Sequence, residues 1–104
     1  MSNLLKETED FLKDNKYSFD DIEGIQIGKY RISVEHFRKL AGRTEYDSGY
    51  GLQMIDCSLV IFLKDKTWMT REEYDGAEWW RLHKRPTLHK AINDDKVKTL
   101  KERW

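Results

Sequence analysis

Apolar residues recur along this chain first at helical spacing and then at strand spacing. Leu4, Leu5, Phe11 and Leu12 share one face of a helix, with Glu7, Glu9 and Asp10 opposite or at its flank. Ser2 or Asn3 suits its start, because a side-chain oxygen there accepts an orphan amide hydrogen. The helix ends near Asp14-Asn15, and 18–21 reads as a turn or one helical turn. Ile25-Gln26-Ile27 and Tyr30-Arg31-Ile32 alternate as half-buried strands do, with Gly28-Lys29 turning between them. Ser33 caps a second helix whose apolar stripe is Val34, Phe37, Leu40 and Ala41, and Gly42 is a suitable stop.

The stretch 46–51, Tyr-Asp-Ser-Gly-Tyr-Gly, has neither period and reads as a loop. Ser58–Leu63 is apolar at five of six positions, the pattern of a strand buried on both faces. Residues 67–74 and 77–83 are antiparallel partners across Asp75-Gly76, a strong hairpin signal because Gly accepts the positive φ of a tight turn. Pro86 lacks the donor a ladder needs and closes the sheet. Residues 88–104 predict a basic helix with Leu88, Ile92, Val97 and Leu100 partly in register. The expected fold is α+β: an antiparallel sheet of about five strands with two or three helices on one face. It is a single domain over 1–104, with a core over about 1–85 and a basic C-terminal helix or tail over 86–104.

Composition sharpens this picture. With 38% apolar and 37% charged residues in 104, the aromatics must supply much of the core. Each large ring buries roughly 150–250 Å². Thirteen aromatics and a net charge of zero exclude the disordered class. The charge is unevenly spread: residues 1–24 hold three Lys against seven Asp/Glu, and residues 81–104 hold eight Lys/Arg against three. Either the two ends pair, or the basic end meets an anionic partner. Zero net charge is unlike a dedicated nucleic-acid binder. The single cysteine, Cys57, allows no intramolecular disulfide, which suits a reducing cytosol. No signal peptide and no membrane-spanning run are read, so a cytoplasmic protein of a bacterial cell is expected, with no membrane partner.

Trp79 and Trp80 are adjacent, so in a strand they point to opposite faces. Trp80 and Leu82 are expected on the core side, and Trp79 with Arg81 on the other. Trp68 is placed across the hairpin from one of the pair. One outcome is a core tryptophan and one covered by the C-terminal segment; the other is an exposed aromatic platform. Glu72, Glu73, Asp75 and Glu78 cluster at the hairpin, where solvated charge is the default and where phosphates would be repelled. A hydrolase or nuclease built on Glu72, Glu73, Asp75 and a histidine is the reserve alternative. His36, His83 and His89 have no metal-ligand spacing with Cys57, which reads as a buried small hydrophobe. No metal, cofactor or catalytic residue is assigned. The candidate contact residues are Tyr46, Asp47 and Tyr50 in the loop, with Trp68, Tyr74, Asp75, Trp79 and Trp80 of the hairpin. Arg81, Lys84, Arg85 and Lys90 form a candidate basic edge for nucleic acid.

Three segments, Tyr30-Arg-Ile-Ser-Val-Glu-His-Phe37, Glu45-Tyr-Asp-Ser-Gly-Tyr-Gly51 and Glu73-Tyr-Asp-Gly-Ala-Glu-Trp-Trp80, carry a resemblance. Across about residues 30–83 the chain resembles small proteins encoded by phages and integrative elements of Gram-positive bacteria. Where such proteins carry an aromatic pair before the hairpin, this chain has Trp68-Met69. The basic tail lies outside the match. The resemblance implies a mobile-element setting and no activity. The expected function is a non-enzymatic accessory module that binds a host or phage protein, including the anti-CRISPR-like case of inhibiting a defence nuclease. A nucleic-acid-binding accessory factor is the alternative.

Overall fold

The computed structural model describes residues 2–47, 53–85 and 90–101. The element order is β1 (Ser2–Asn3), α1 (Leu4–Asp14), β2 (Ile22–Ile27), β3 (Tyr30–Ile32), α2 (Val34–Gly42), β4 (Glu45–Tyr46), β5 (Val60–Leu63), β6 (Trp68–Tyr74) and β7 (Ala77–His83), with a 3-10 turn at Phe19–Asp21. Five strands form one antiparallel sheet in the order β3-β2-β5-β6-β7. The α+β reading holds.

Both helices start where the capping residues place them. Asn3 accepts the Lys6 amide and Ser33 accepts the His36 amide. α1 buries Leu4, Thr8 and Leu12, four residues apart. α2 buries Phe37 and Ala41, while Leu40 of the expected stripe is exposed. Gly42 is the last helical residue rather than a left-handed stop, and Arg43 closes the helix. The Gly42 carbonyl accepts the Asn3 side-chain amide, and β1 pairs with β4 beside it, so the start of α1 is tied to the end of α2.

The core lies between the helices and one face of the sheet. Ile25, Ile61, Leu63, Met69 and Trp80 meet Leu4, Leu12, Phe37 and Ala41 there. Burying a side chain of this size contributes about 1.5–3 kcal/mol before the entropy of ordering it. The β6–β7 turn takes φ of 52° at Asp75 and 87° at Gly76, the two positive values a type I′ hairpin needs. Its register sets Trp68 opposite His83, Arg71 opposite Trp80 and Glu72 opposite Trp79. Trp68 therefore faces His83 and neither of the paired tryptophans. The β5–β6 turn is held by Asp65, which accepts the Thr67 hydroxyl and amide and the Tyr17 hydroxyl. Those bonds, Thr67 first, hold its carboxyl below the ordinary carboxylate range.

Three further expectations are corrected. β5 alternates half-buried and buried residues, so it is closed on one face only. Cys57 is exposed in the turn before β5 and is no core residue. Within 90–101 there is no helix; one turn has Lys96 N and Val97 N donating to Asn93 O, and every residue is exposed. The apolar residues Ile92, Val97 and Leu100 are too sparse there to give a helix a core to pack against.

Candidate functional site

The pleat of the sheet sends alternate residues of each strand to opposite sides. Ile25, Ile61, Met69, Arg71, Trp80 and Leu82 face the helices. Gly24, Gln26, Arg31, Val60, Phe62, Trp68, Thr70, Glu72, Trp79, Arg81 and His83 face the other way by register. None of the second set is buried, and among the described residues no helix lies over them. The outward face carries two ladders of side chains. One runs Arg31, Gln26, Val60, Thr70, Arg81. The other runs Gly24, Phe62, Trp68, His83.

The second ladder is aromatic. The Trp68 and His83 rings stack with centroids 5.5 Å apart and planes 10° from parallel. The His83 ring is fixed by the Thr70 hydroxyl, Oγ1 to Nε2 2.6 Å. At the other end Gly24 lets the Arg31 guanidinium lie flat against the strand, since a Cβ at Gly24 would stand 3.2 Å from Arg31 Nη2. Arg31 Nη2 donates to the Glu23 carbonyl. Glu23, Gly24, Gln26, Arg31 and Phe62 line a shallow cavity of about 230 Å³ on this face. Trp79 completes the surface at 43% exposure, beside the Arg81–Glu72 ion pair at 3.4 Å.

The inward face holds the other candidates. Tyr46 and Trp80 are each 3% exposed and serve the core, so neither reaches a partner. Both belong to a buried polar network. Arg71 Nη1 donates to Glu7 Oε2 at 2.9 Å, and Nη2 donates to the Tyr46 hydroxyl at 3.0 Å. Glu78 Oε1 lies 3.6 Å from Nη2, and both side chains of that pair are fully buried. The guanidinium carbon lies 4.9 Å from the Trp80 ring centroid and 5.7 Å from that of Tyr46. Arg71 Nε has no hydrogen-bond partner. Burial, followed by the bond Tyr46 donates to Glu7, pushes the Tyr46 phenol up to about 12. Thr8 has no exposure; its hydroxyl donates to the Leu4 carbonyl and accepts from Trp80 Nε1.

Glu78 is the largest departure from the sequence picture. It is not a solvated hairpin acid: its carboxylate accepts the Met54 and Ile55 amides at 2.5 and 3.1 Å and pins the segment entering β5. The hairpin acids therefore do not converge. Glu72 faces outward to Arg81, Glu73 accepts the Gly76 amide at the turn, Asp75 sits at the tip and Glu78 is inside. Among the described residues, no group of three His, Cys, Asp or Glu could hold a metal ion. Asp47, Tyr74, Asp75, Lys84, Arg85 and Lys90 are exposed, while Tyr50 and His89 lie outside the described residues. Among those residues no helix is long and apolar enough to cross a membrane. Compared with known proteins, the chain matches no family model, no curated protein and no solved structure.

Thr8, Arg71, Glu7, Gln26, Val60, Phe62 and His83 were missing from the candidate set. The two ladders were readable in part, because strand alternation already sets Trp68 and Thr70 on one side. The two-residue Asp75-Gly76 turn also sets Trp68 opposite His83, whereas the register that joins them to Phe62 was not readable.

Proposed function

We propose that this protein is a non-enzymatic binding module whose contact surface is the open face of the five-stranded sheet. One observation carries the reading: an aromatic ladder, Phe62, Trp68 and His83, stands on the face that the helices leave uncovered among the described residues, with Trp79 two rungs further along the same face. Interfaces concentrate their energy in such aromatic and arginine side chains. The carboxylates of the hairpin point in divergent directions, which supports binding over acid–base chemistry. The narrower setting, an accessory protein of a phage or mobile element that binds a host or phage partner or blocks a defence nuclease, is proposed on the sequence resemblance alone.

Photo-crosslinking tests the surface. Trp79→p-benzoylphenylalanine places the probe on the open face, and Lys39→p-benzoylphenylalanine places it on exposed α2. In a producing bacterial cell, adducts are expected from position 79 and not from position 39. Equal yields from both positions, or none from position 79, would refute the assignment.

A further inference from the structure

Resting on that reading of the open face, we propose that its partner is single-stranded nucleic acid, with a base stacked on the Trp68–His83 pair and phosphates held by Arg81, Lys84 and Arg85. The stack is the first support. Its two rings are already parallel within 10°, and Thr70 fixes the imidazole plane before any ligand arrives. A third flat ring extends such a stack, and every base offers one. Phe62 continues the ladder on the far side of Trp68.

Charge is the second support, and it is concentrated at the His83 end. Arg81 is exposed two residues before His83, and Lys84 and Arg85 are exposed directly after it. The segment 81–104 carries eight Lys/Arg against three Asp/Glu. The hairpin acids that argued against phosphate are directed elsewhere. Glu78 is buried against Arg71 and Glu73 is taken by the turn, while Glu72 shares with Arg81 an exposed pair of little worth, which a phosphate on Arg81 displaces at little cost. Glu23 lies at the opposite end of the ladder, beside Arg31.

A protein partner fits less well. A stable interface needs about 800 Å² from each partner with an apolar centre. On this face Tyr74 and Trp79 are the exposed large apolar side chains among the described residues, and the rest are half-buried or polar. A duplex fits less well again, because its base faces are occupied by their neighbours.

The test is a tryptophan-fluorescence titration of the full chain with oligothymidylate, oligouridylate and a duplex of the same length, at low and at moderate salt. Quenching by a single strand is expected, with little response to the duplex. The slope of log affinity against log salt should be about −1.4 to −2.1, the value for two or three phosphates on a single strand. Trp68→Leu should weaken binding by about five- to 150-fold, the range for losing one stacked base. Arg81→Glu/Arg85→Glu should weaken it at least tenfold, and Lys39→Glu should leave it unchanged. The arginine pair is exposed, so it decides the matter even where Trp68→Leu fails to fold. Equal affinity for the duplex, or full affinity in the arginine variant, overturns the proposal. So does the absence of quenching by both single strands. In that case a polypeptide adduct from position 79 leaves the binding-module reading standing, and no adduct removes both.

Discussion

Trp79 and Trp80 are neighbours in one strand, yet one is 43% exposed and the other 3%. They sample the two faces of the same sheet, and the faces are built on different principles. The inward face is closed and polar at its heart. Trp80 donates its ring N–H to Thr8, and Arg71 gathers Glu7, Tyr46 and Glu78, residues far apart in the chain. The outward face is open among the described residues, with its ladders drawn from one residue per strand. Burying a guanidinium costs several kcal/mol, which only close partners offset. The inward network is therefore a device that fixes α1, β4, the hairpin and the segment before β5 in one arrangement. On the outward face the described side chains pair only with their neighbours across the strands, Thr70 with His83 and Glu72 with Arg81.

The comparison predicts opposite responses to substitution. Arg71→Ala should lower stability by about 3–5 kcal/mol, because it leaves buried Glu78 without its cation. That is a large part of the roughly 5–15 kcal/mol a domain possesses. Urea unfolding measures it, and a loss below about 1 kcal/mol would show that the network does not fix the fold. Gly76→Ala should cost about 1–2 kcal/mol, because φ of 87° strains any residue with a Cβ. Its effect on the unfolding midpoint separates turn strain from loss of the network.

Alkali probes the same network through Tyr46. Its folded phenol is pushed up to about 12 from the ordinary 10.0, so the folded state holds the proton more tightly than the unfolded chain does. That contribution is complete below about pH 10 and is lost as pH rises through about 12. The wild type should therefore lose more stability than Tyr46→Phe between pH 9.5 and 12, on the order of 1–2 kcal/mol. Parallel curves would place the Tyr46 phenol outside the closed network.

The outward face was partly legible in the sequence because strand alternation and the Asp75-Gly76 turn are local signals. They set Trp79 apart from Trp80 and bounded β6 and β7 to within a residue. The inward network was not legible. Thr8 reads as a break in an apolar stripe, and Glu78 reads as one more surface acid. Thr8 meets Leu4 and Trp80, Glu78 meets Met54, Ile55 and Arg71, and Arg71 also takes Glu7 and Tyr46, a convergence that no periodicity encodes. The C-terminal segment misled for the opposite reason. Its apolar residues hint at helical spacing, but helices are held chiefly by tertiary packing, and residues 90–101 have none.

The smallest expected effect is on Trp79 itself. Trp79→Ala removes an exposed ring from a face that no described element covers, so it should change stability by no more than about 0.5 kcal/mol. Trp80→Ala, one residue away, should cost about 3–5 kcal/mol. Fluorine NMR of fluorotryptophan-labelled protein reads the contrast directly, with Trp79→Phe assigning the signal. A soluble gadolinium chelate should broaden the Trp79 resonance and spare that of Trp80. Truncation after Arg85 should leave the Trp79 broadening unchanged. A Trp79 resonance that broadens only in the truncated chain would mean that the basic segment covers the open face, and the surface proposed for the partner would then be an internal one.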